Sequence, residues 1–337
     1  MSVTIKMIAE KCGVSRGTVD RVLNHRGRVS QETIRKVNAV VEELGYQPNT
    51  IGRALALHKK ELKIGIILCS LGNEFYDEMI EGIWAARKEN HNYDVEILMR
   101  CMKGYDVEEQ LSLMDELKRQ VQCLILNAID DFAIVQKIDE YMDDGIGVFT
   151  INTDVTGSRR MFHVGVDVME CGRIACGLIS MFCRERGRVL IVTGSLSLLE
   201  HRNRIMGFCT AMDSRYPGIK LAEIIETQDD DEEAYRGMKE FLGRNKEIQA
   251  VFVSAGGSVS VCQALKEAGM EHTWVVVCDM IPAVKKLMEE KRIQAAIVQQ
   301  PWQQGYRALD LAVHYLIEGS FETNFTIENE IKLFENM

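Results

Sequence analysis

The chain of 337 residues contains only 4 prolines, and it has no apolar run that approaches the ~18 residues of a membrane span. Its first residues lack the charged stretch and apolar core of a secretory signal, so we expect a cytoplasmic protein. None of the ten cysteines forms a C-x-x-C pair, and they therefore predict reduced thiols that fill protein cores. With 46% apolar and 27% charged residues, the composition excludes disordered and collagen-like classes.

Motifs of several enzyme classes are also absent. No G-x-G-x-x-G follows the first apolar strand, no G-x-S-x-G occurs, and the glycine-rich run 255–258 has no lysine and the wrong spacing for a phosphate loop. The seven histidines include no H-x-x-x-H pair, and no Cys/His cluster has zinc spacing. We therefore expect no catalytic residues, no metal and no cofactor, and an α/β enzyme is the least favoured class.

Charge is distributed unevenly along the chain. Residues 1–60 hold 11 basic and 5 acidic side chains, a net charge of +6, whereas the remainder holds 29 basic and 45 acidic ones, a net charge of −16. A small basic head on a large acidic body is typical of a polyanion-binding module fused to a second domain. Chance clustering of surface charge is the alternative that charge alone leaves open.

The head reads as three short helices. Thr4, Ser15 and Ser30 each precede an amphipathic segment and can cap a helix, Gly13 makes a turn between the first two, and Gly45 ends the third. The apolar positions that would close its core are Ile8, Ala9, Val14, Val19, Val22, Leu23, Ile34, Val37, Val40, Val41 and Leu44. Two short helices joined by a tight glycine turn predict a helix-turn-helix, whose second helix enters the major groove of DNA.

The second helix carries side chains suited to DNA. Ser15 and Thr18 can donate hydrogen bonds to phosphates, and Arg16 and Arg21 are long enough to reach guanine O6 and N7. Asp20 repels phosphate, but it can accept from a cytosine amino group or hold Arg21 in place. These residue types at the start of a recognition helix indicate sequence-specific DNA binding.

The runs TIKMIAEKCGVSRGTVDRVLN, RVSQETIRKV and ELGYQPNTIGRAL strongly resemble the lac-repressor family of bacterial transcription regulators, over residues 4–55. The resemblance implies a repressor that binds a pseudo-palindromic operator as a homodimer. It implies that operator sequence is read by Arg16, Gly17 and Arg21. It implies that the phosphate backbone is contacted by Thr4, Ser15, Thr18, Asn24 and Thr33. Gly17 replaces a longer side chain common in the family, and Asp20 replaces a small hydroxyl residue, which leaves the Asp20 contact open.

Residues 46–60 connect the head to the body. Asn49 can cap a helix over residues 50–57, which is shorter than the ~12–15 residues that hold a helix alone in water. The resemblance implies a hinge helix that folds on DNA, where Leu55 wedges into the minor groove. Gly52 replaces a common alanine and weakens the free helix by up to ~1 kcal/mol. A plain linker with Leu55 buried against the body is the alternative.

We divide the chain into a DNA-binding domain (1–46), a hinge helix and linker (47–61), and a ligand-sensing, dimerising body (62–337). In the body, short β-branched runs alternate with amphipathic helices, which predicts a parallel α/β fold in two lobes. The predicted strands are 63–69, 95–99, 123–126, 147–151, 189–192, 221–225, 250–253, 274–278 and 295–298. The predicted helices are 75–89, 107–119, 132–143, 171–184, 202–214, 232–242, 259–268 and 283–289. The body resembles type I periplasmic sugar-binding proteins, more weakly than the head resembles its family.

A cleft between the lobes, at the carboxyl ends of the strands, is the expected ligand site. Aromatic and bidentate polar side chains follow the strands, and these groups stack on and hydrogen-bond to sugars. The segments G-N-E-F-Y and R-N-R-I-M-G-F match ligand-binding patterns of the family. Residues and resemblance together predict ligand contacts from Asn73, Phe75, Tyr76, Asp130, Asn152, Arg202, Asp279 and Gln299.

The sequence also departs from common sugar binders. Ala255 and Gly256 stand where asparagine and aspartate are usual, and Asn152 with Thr153 replaces a common Asp-Arg pair. Either one pair of hydroxyl contacts is missing or the ligand is bulkier there. The expected mechanism is a change in lobe angle, caused by a small effector such as a carbohydrate, that alters DNA affinity. A body that responds to a protein partner is the alternative.

Overall fold

The computed structural model describes residues 5–23, 29–44, 62–69, 71–196, 198–321 and 325–337. Its head contains three helices, α1 (Ile5–Cys12), α2 (Arg16–Leu23) and α3 (Gln31–Leu44). Gly13 between α1 and α2 has a φ of +65°, a left-handed conformation that glycine adopts without steric cost. The predicted helix-turn-helix is confirmed.

Two serines begin helices as predicted. The Oγ of Ser15 accepts from the backbone N–H of Thr18 at 3.0 Å, and the Oγ of Ser30 accepts from that of Thr33 at 3.2 Å. These bonds satisfy N–H groups that a helix leaves unpaired at its start. The head core consists of the predicted apolar positions together with Cys12 and Val29.

Several predicted DNA contacts lie outside the described residues. They are Thr4, Asn24, Asn49, Gly52 and Leu55, together with the helix expected over residues 50–57. The boundaries proposed at residues 46 and 61 fall in the same stretches. All of these therefore stay predictions.

The body begins with a five-stranded sheet. Its strands are β1 (Leu62–Leu68), β2 (Val95–Cys101), β3 (Cys123–Leu126), β4 (Gly147–Ile151) and β5 (Phe162–Val164), and its helices are α4 (Phe75–Glu89), α5 (Val107–Lys118) and α6 (Phe132–Asp143). The strands run parallel in the order β2-β1-β3-β4-β5. Apolar side chains are buried on both faces, Ile66 on one and Ile67 on the other, because helices cover both sides.

A second sheet follows. Its strands are β6 (Gly187–Thr193), β7 (Ile219–Glu226), β8 (Ala250–Val253), β9 (Trp274–Cys278), β10 (Ala295–Val298) and β11 (Glu330–Lys332). The remaining α-helices are α7 (Val168–Phe182), α8 (Leu199–Arg215), α9 (Asp231–Arg244), α10 (Ser258–Glu267), α11 (Pro282–Glu289) and α12 (Pro301–Glu318), with a 3₁₀ turn at Phe334–Asn336. The order is β11-β10-β9-β8-β6-β7, with β11 antiparallel to β10.

The chain crosses between the two sheets after β5, after β10 and after α12. Although α12 follows a strand of the second sheet, it packs against α4 and joins the core of the first sheet. We call residues 62–164 with α12 the first lobe, and residues 168–299 with residues 330–337 the second lobe. This topology confirms the predicted two-lobed parallel α/β body.

Most predicted elements agree closely with the structure. Five strands, β3, β4, β8, β9 and β10, have the predicted bounds, whereas β5, β11 and α12 were not predicted. Helix α8 begins at Leu199, three residues earlier than predicted. None of the helices in the described ranges combines the length and apolar character needed to cross a membrane.

Candidate ligand cleft and nucleic-acid interface

A cavity of about 110 Å³ lies between the lobes at the carboxyl ends of the strands. One water molecule needs roughly 10–15 Å³ by a comparable measure, so the cavity has room for a small organic molecule. The first lobe contributes Asn73, Phe75, Tyr76, Tyr105, Asn152 and Thr153 to its lining. The second lobe contributes Leu198, Glu200, His201, Arg204, Asp229, Cys278, Asp279, Ile281, Val284, Gln299 and residues 255–258. A molecule in this cavity would contact both lobes.

Six of the eight predicted ligand residues line the cavity: Asn73, Phe75, Tyr76, Asn152, Asp279 and Gln299. The other two, Arg202 and Asp130, are not among its lining residues. Arg202 instead pairs with Asp130 across the lobes, with 2.7 Å between Nη2 and Oδ2, and 42% of its side chain is exposed. This pair joins the two lobes outside the cavity lining.

The cavity arginine is Arg204, two residues further along α8. Its side chain is buried, Nη1 donates to the backbone oxygen of Ser254, and Nη2 donates to Oε1 of Gln299 at 2.9 Å. Gln299 Nε2 in turn donates to Oδ2 of Asp279 at 2.8 Å. The buried Nε of Arg204 has no partner within the protein. This chain of three residues presents donors and acceptors in fixed positions.

Helical periodicity explains why Arg204 faces inward. It lies on the same face of α8 as Phe208 and Ala211, both buried in the second lobe. On that face α8 also packs closely on α7, where a Cβ on Gly172 would come within 1.9 Å of the backbone oxygen of Arg204. The i, i+4 spacing places Arg204 and Phe208 on one face of α8, and the packing of α8 on α7 decides that this face turns inward.

The wall of the first lobe is held by a buried asparagine. Oδ1 of Asn127 accepts from the hydroxyl of Tyr76 at 2.8 Å, and its Nδ2 donates to Thr153 Oγ1 at 2.7 Å. Burial raises the pKa of Tyr76 well above its usual range, so its hydroxyl stays protonated. The ring of Phe75 packs edge-on against Tyr76 with 5.2 Å between centroids. Aromatic faces and fixed hydroxyls are the groups that bind sugar rings.

Tyr105 and Asp229 are among the polar lining residues that were not predicted as ligand contacts. The hydroxyl of Tyr105 in the first lobe donates to Oδ2 of Asp229 in the second lobe at 2.8 Å. Tyr105 follows β2, and Asp229 follows β7, the strand at the far edge of the second sheet. The contact depends on how the lobes meet, and no local sequence pattern indicated it.

Burial changes the protonation of several lining groups. It raises the pKa of Glu200 to about 7 and that of Asp279 to about 6, and it lowers the pKa of His201 to about 4. The Nδ1 of His201 lies 2.9 Å from the backbone nitrogen of Ser195 and 3.1 Å from its backbone oxygen, so the ring is held against that residue. The cavity therefore offers neutral donors and acceptors near pH 7 in addition to its charges.

Strand ends in the cavity adopt an uncommon backbone conformation. Asn152 directly after β4 has a φ of +61°, and Asp279 directly after β9 has a φ of +66°. Such left-handed residues other than glycine persist where the surrounding structure holds them, and they are concentrated at functional sites. Both of these side chains line the cavity.

The head presents a second surface, on the exposed side of α2. Ser15, Arg16, Gly17 and Arg21 are exposed, and Thr18 is half-buried. Arg21 lies along the helix, with Nε donating to the backbone oxygen of Gly17 at 3.1 Å and Nη2 to Thr18 Oγ1 at 3.2 Å. Asp20 and Thr33 are half-buried beside this surface.

Two models of known protein families match separate parts of the chain. A family model described as bacterial regulatory proteins of the lacI family matches residues 4–49. A second model, described as a periplasmic binding protein domain, matches residues 64–320. The two matches cover the helical head and most of the two-lobed body.

Similar curated proteins share both parts. The HTH-type transcriptional regulator RegA of Clostridium saccharobutylicum is 27% identical over 286 residues, which cover 80% of each chain. The HTH-type transcriptional regulator DegA of Bacillus subtilis is 28% identical, covering 80% of this chain and 77% of that protein. The ribose operon repressor of Escherichia coli is 26% identical, covering 80% and 79%.

Solved structures with the same fold cover the body. GanP, a glucose-galactose binding protein from Geobacillus stearothermophilus, has a TM-score of 0.77 at 22% identity and covers 83% of this chain and 99% of its own. A solute-binding protein from Burkholderia graminis, in complex with D-arabinose, has a TM-score of 0.77 at 21% identity, covering 82% and 96%. At these identities the likeness shows the fold.

Proposed function

Because this chain belongs to the lacI family of bacterial regulatory proteins, we propose that it binds a pseudo-palindromic operator as a homodimer and that a small polyhydroxylated effector between its lobes sets operator affinity. The proposal assigns residues 4–55 to DNA and the cavity to the effector. A carbohydrate fits the aromatic and bidentate polar lining.

The observation that carries the proposal is the composition of the cavity from both lobes. A ligand held by Phe75 and Asn152 on one side and by Arg204 and Asp279 on the other binds one lobe angle better than another. It therefore shifts the population of lobe arrangements by its difference in affinity. The same coupling free energy then appears in operator binding.

The head supports the DNA part of the proposal. Arg16 and Arg21 are exposed on α2, where the recognition helix of this motif meets base edges. Gly17 carries no side chain between them, so the groove can come close to the helix. A homodimer is proposed because one head of three short helices buries little surface on DNA, and two heads are needed for specific binding.

Thermal unfolding of the full chain tests the effector part. The probes are D-ribose, D-arabinose, D-glucose, D-galactose and myo-inositol. A ligand at 100 times its Kd adds about 2.7 kcal/mol, which corresponds to a rise in Tm of roughly 5–10 °C. Arg204→Met should abolish the shift. The matched control Arg202→Met should retain it, because Arg202 lies outside the cavity lining.

The outcomes separate the alternatives. A shift that is lost in Arg202→Met and kept in Arg204→Met would remove the cavity from the proposal. No shift with any probe would favour a body that responds to a protein partner.

A second experiment tests the DNA part of the proposal. The full chain should bind an operator selected from random DNA with a higher or lower affinity when the stabilising probe is added. An unchanged affinity would contradict the coupling between effector and operator.

A further inference from the structure

Asp229 occupies an unusual place in the cavity. It follows β7, yet its carboxylate lies on the glycine-rich turn at the start of α10. Oδ1 accepts from the backbone N–H of Gly256 at 2.9 Å, and Oδ2 accepts from the hydroxyl of Tyr105 at 2.8 Å. Both oxygens of the carboxylate are thus held by the protein.

The surrounding sequence makes room for this carboxylate. A Cβ on Gly194 would come within 2.5 Å of Asp229 Oδ1, and a Cβ on Gly256 would come within 3.2 Å of it. Gln228 and Asp229 have φ values of +53° and +56°, two successive left-handed residues. Gly194 and Gly256 have no side chains that would collide with the carboxylate of Asp229. Together with the left-handed backbone at residue 229, they allow this carboxylate to lie on the turn before α10.

The position that Asp229 occupies is one that attracts anions. Helix α10 begins after Gly257 without a side-chain cap, so its first N–H groups carry the positive end of the helix dipole. A phosphate is often bound at such a glycine-rich helix start. Here the carboxylate of Asp229 already takes a hydrogen bond from that turn, and it supplies the negative charge internally.

The other charged side chains that line the cavity also disfavour an anionic ligand. Among the described residues that line it, Arg204 is the only lysine or arginine, while Glu200, Asp229 and Asp279 are carboxylic acids. Arg204 already donates to Ser254 and Gln299. A phosphate ester in the cavity would therefore meet more negative than positive charge.

We propose that Asp229 determines the charge of the effector, so that the cleft accepts an uncharged polyhydroxy compound and excludes its phosphate esters. The inference rests on the proposed function, namely that this cavity binds the effector. It names Asp229 as a specificity-determining residue, in a place where no ligand contact was predicted from the sequence.

The test compares parent sugars with their phosphates on the full chain. The probe pairs are D-glucose with D-glucose 6-phosphate and D-ribose with D-ribose 5-phosphate, measured by titration calorimetry. In the unmodified protein the ester of the sugar that binds should bind at least 100-fold more weakly. Asp229→Asn should reduce that ratio at least tenfold. An ester that binds the unmodified protein as tightly as its parent sugar would overturn the proposal.

An inorganic probe keeps the test independent of the effector. Sodium sulfate at 5 mM, against sodium chloride of equal ionic strength, should raise the Tm of Asp229→Asn and leave that of the unmodified protein unchanged. Tyr105→Phe, which retains the carboxylate, should behave like the unmodified protein. Sulfate that stabilises none of the variants would overturn the role of Asp229. No binding of any sugar, with the sulfate effect present, would reject the proposed function and leave the anion exclusion standing.

Should Asp229→Asn fail to fold, the Kd of the ester divided by the Kd of its parent sugar in the unmodified protein still tests the exclusion of phosphate esters. A ratio near one contradicts the exclusion, and a ratio above 100 supports it.

Discussion

Glu200 of the second lobe accepts a hydrogen bond from the backbone N–H of Asp154 in the first lobe, with 2.5 Å between Oε1 and N. Only 7% of Glu200 is exposed, and burial raises its pKa to about 7. Burial disfavours the ionised carboxyl group, and this effect outweighs the hydrogen bond from Asp154, which favours the ionised form. The lobe contact is therefore coupled to pH.

The free energy of unfolding should fall as the pH rises from about 4.5 to about 7, because the native Glu200 binds a proton that the unfolded chain has released. Glu200→Gln should remove this part of the pH dependence. It should stabilise the protein at pH 8 by on the order of 1–3 kcal/mol and have little effect at pH 4.5. Urea unfolding at both pH values measures the difference. Glu247→Gln replaces a highly exposed side chain and is the matched control. Its effect on the free energy of unfolding should be the same at both pH values.

The pair of Asp130 and Arg202 should contribute little to stability. Its arginine is 42% exposed, and exposed ion pairs contribute about 0–1 kcal/mol. Asp130→Asn should lower the free energy of unfolding by less than about 1 kcal/mol, and 0.5 M salt should reduce the effect. Because the pair joins the lobes, a small loss of effector affinity should accompany it. A loss of several kcal/mol, measured by urea unfolding, would contradict the small contribution expected for this ion pair.

Asn127 should be far more costly to replace. It is 1% exposed, and its amide bonds with the Tyr76 hydroxyl, the Thr153 hydroxyl, and the backbone of Cys69 and Ile151. Asn127→Ala leaves several of these groups without a partner and should lower the free energy of unfolding by about 2–4 kcal/mol. Denaturant unfolding measures it. Asn245→Ala, at the end of α9, should lower the free energy of unfolding much less. Equal losses in the two variants would contradict a stabilising role for the hydrogen bonds of Asn127.

Arg16 and Arg21 should act on specificity. Either Arg16→Ala or Arg21→Ala should weaken binding to the selected operator by about 1–3 kcal/mol while changing non-specific binding less. To contact a base, the side chain of Arg21 must first break its hydrogen bonds to the backbone oxygen of Gly17 and to the hydroxyl of Thr18. Fluorescence anisotropy against operator and random duplexes gives both affinities. Arg244→Ala, an equal change of net charge in the body, is the control, and an equal effect from it would indicate charge alone.

Leu55 carries the prediction for the hinge. Leu55→Ala should leave effector binding unchanged and weaken operator binding much more than non-specific binding, because a wedge contributes only on DNA that can be kinked. Leu57→Ala, two residues further on, should have a smaller effect. Equal losses on both kinds of DNA in Leu55→Ala would remove the wedge role.

Local pattern predicted most of the fold. Alternating apolar runs located five strands of the body to the residue, and two serines at predicted caps begin α2 and α3. These features depend on neighbours within a few positions, and a sequence displays such neighbours directly. The family of the head was likewise evident from its runs of residues.

The site was predicted only in part, for a physical reason. Strand ends located Asn73, Phe75, Tyr76, Asn152, Asp279 and Gln299 in the cavity. The choice between Arg202 and Arg204 depended on which face of α8 packs on α7, a question of helix rotation that Gly172 helps to decide.

The sequence by itself determined the helix-turn-helix, the alternation of strands and helices, and the end of each sheet at which the cavity lies. Only the tertiary structure decided that α12 returns to the first lobe, that Arg204 and not Arg202 lines the cavity, and that Asp229 meets Tyr105 across it. Each of these depends on the meeting of segments far apart in the chain. Such long-range contacts follow from the packing of two whole lobes, and the local periodicity of the sequence does not predict them.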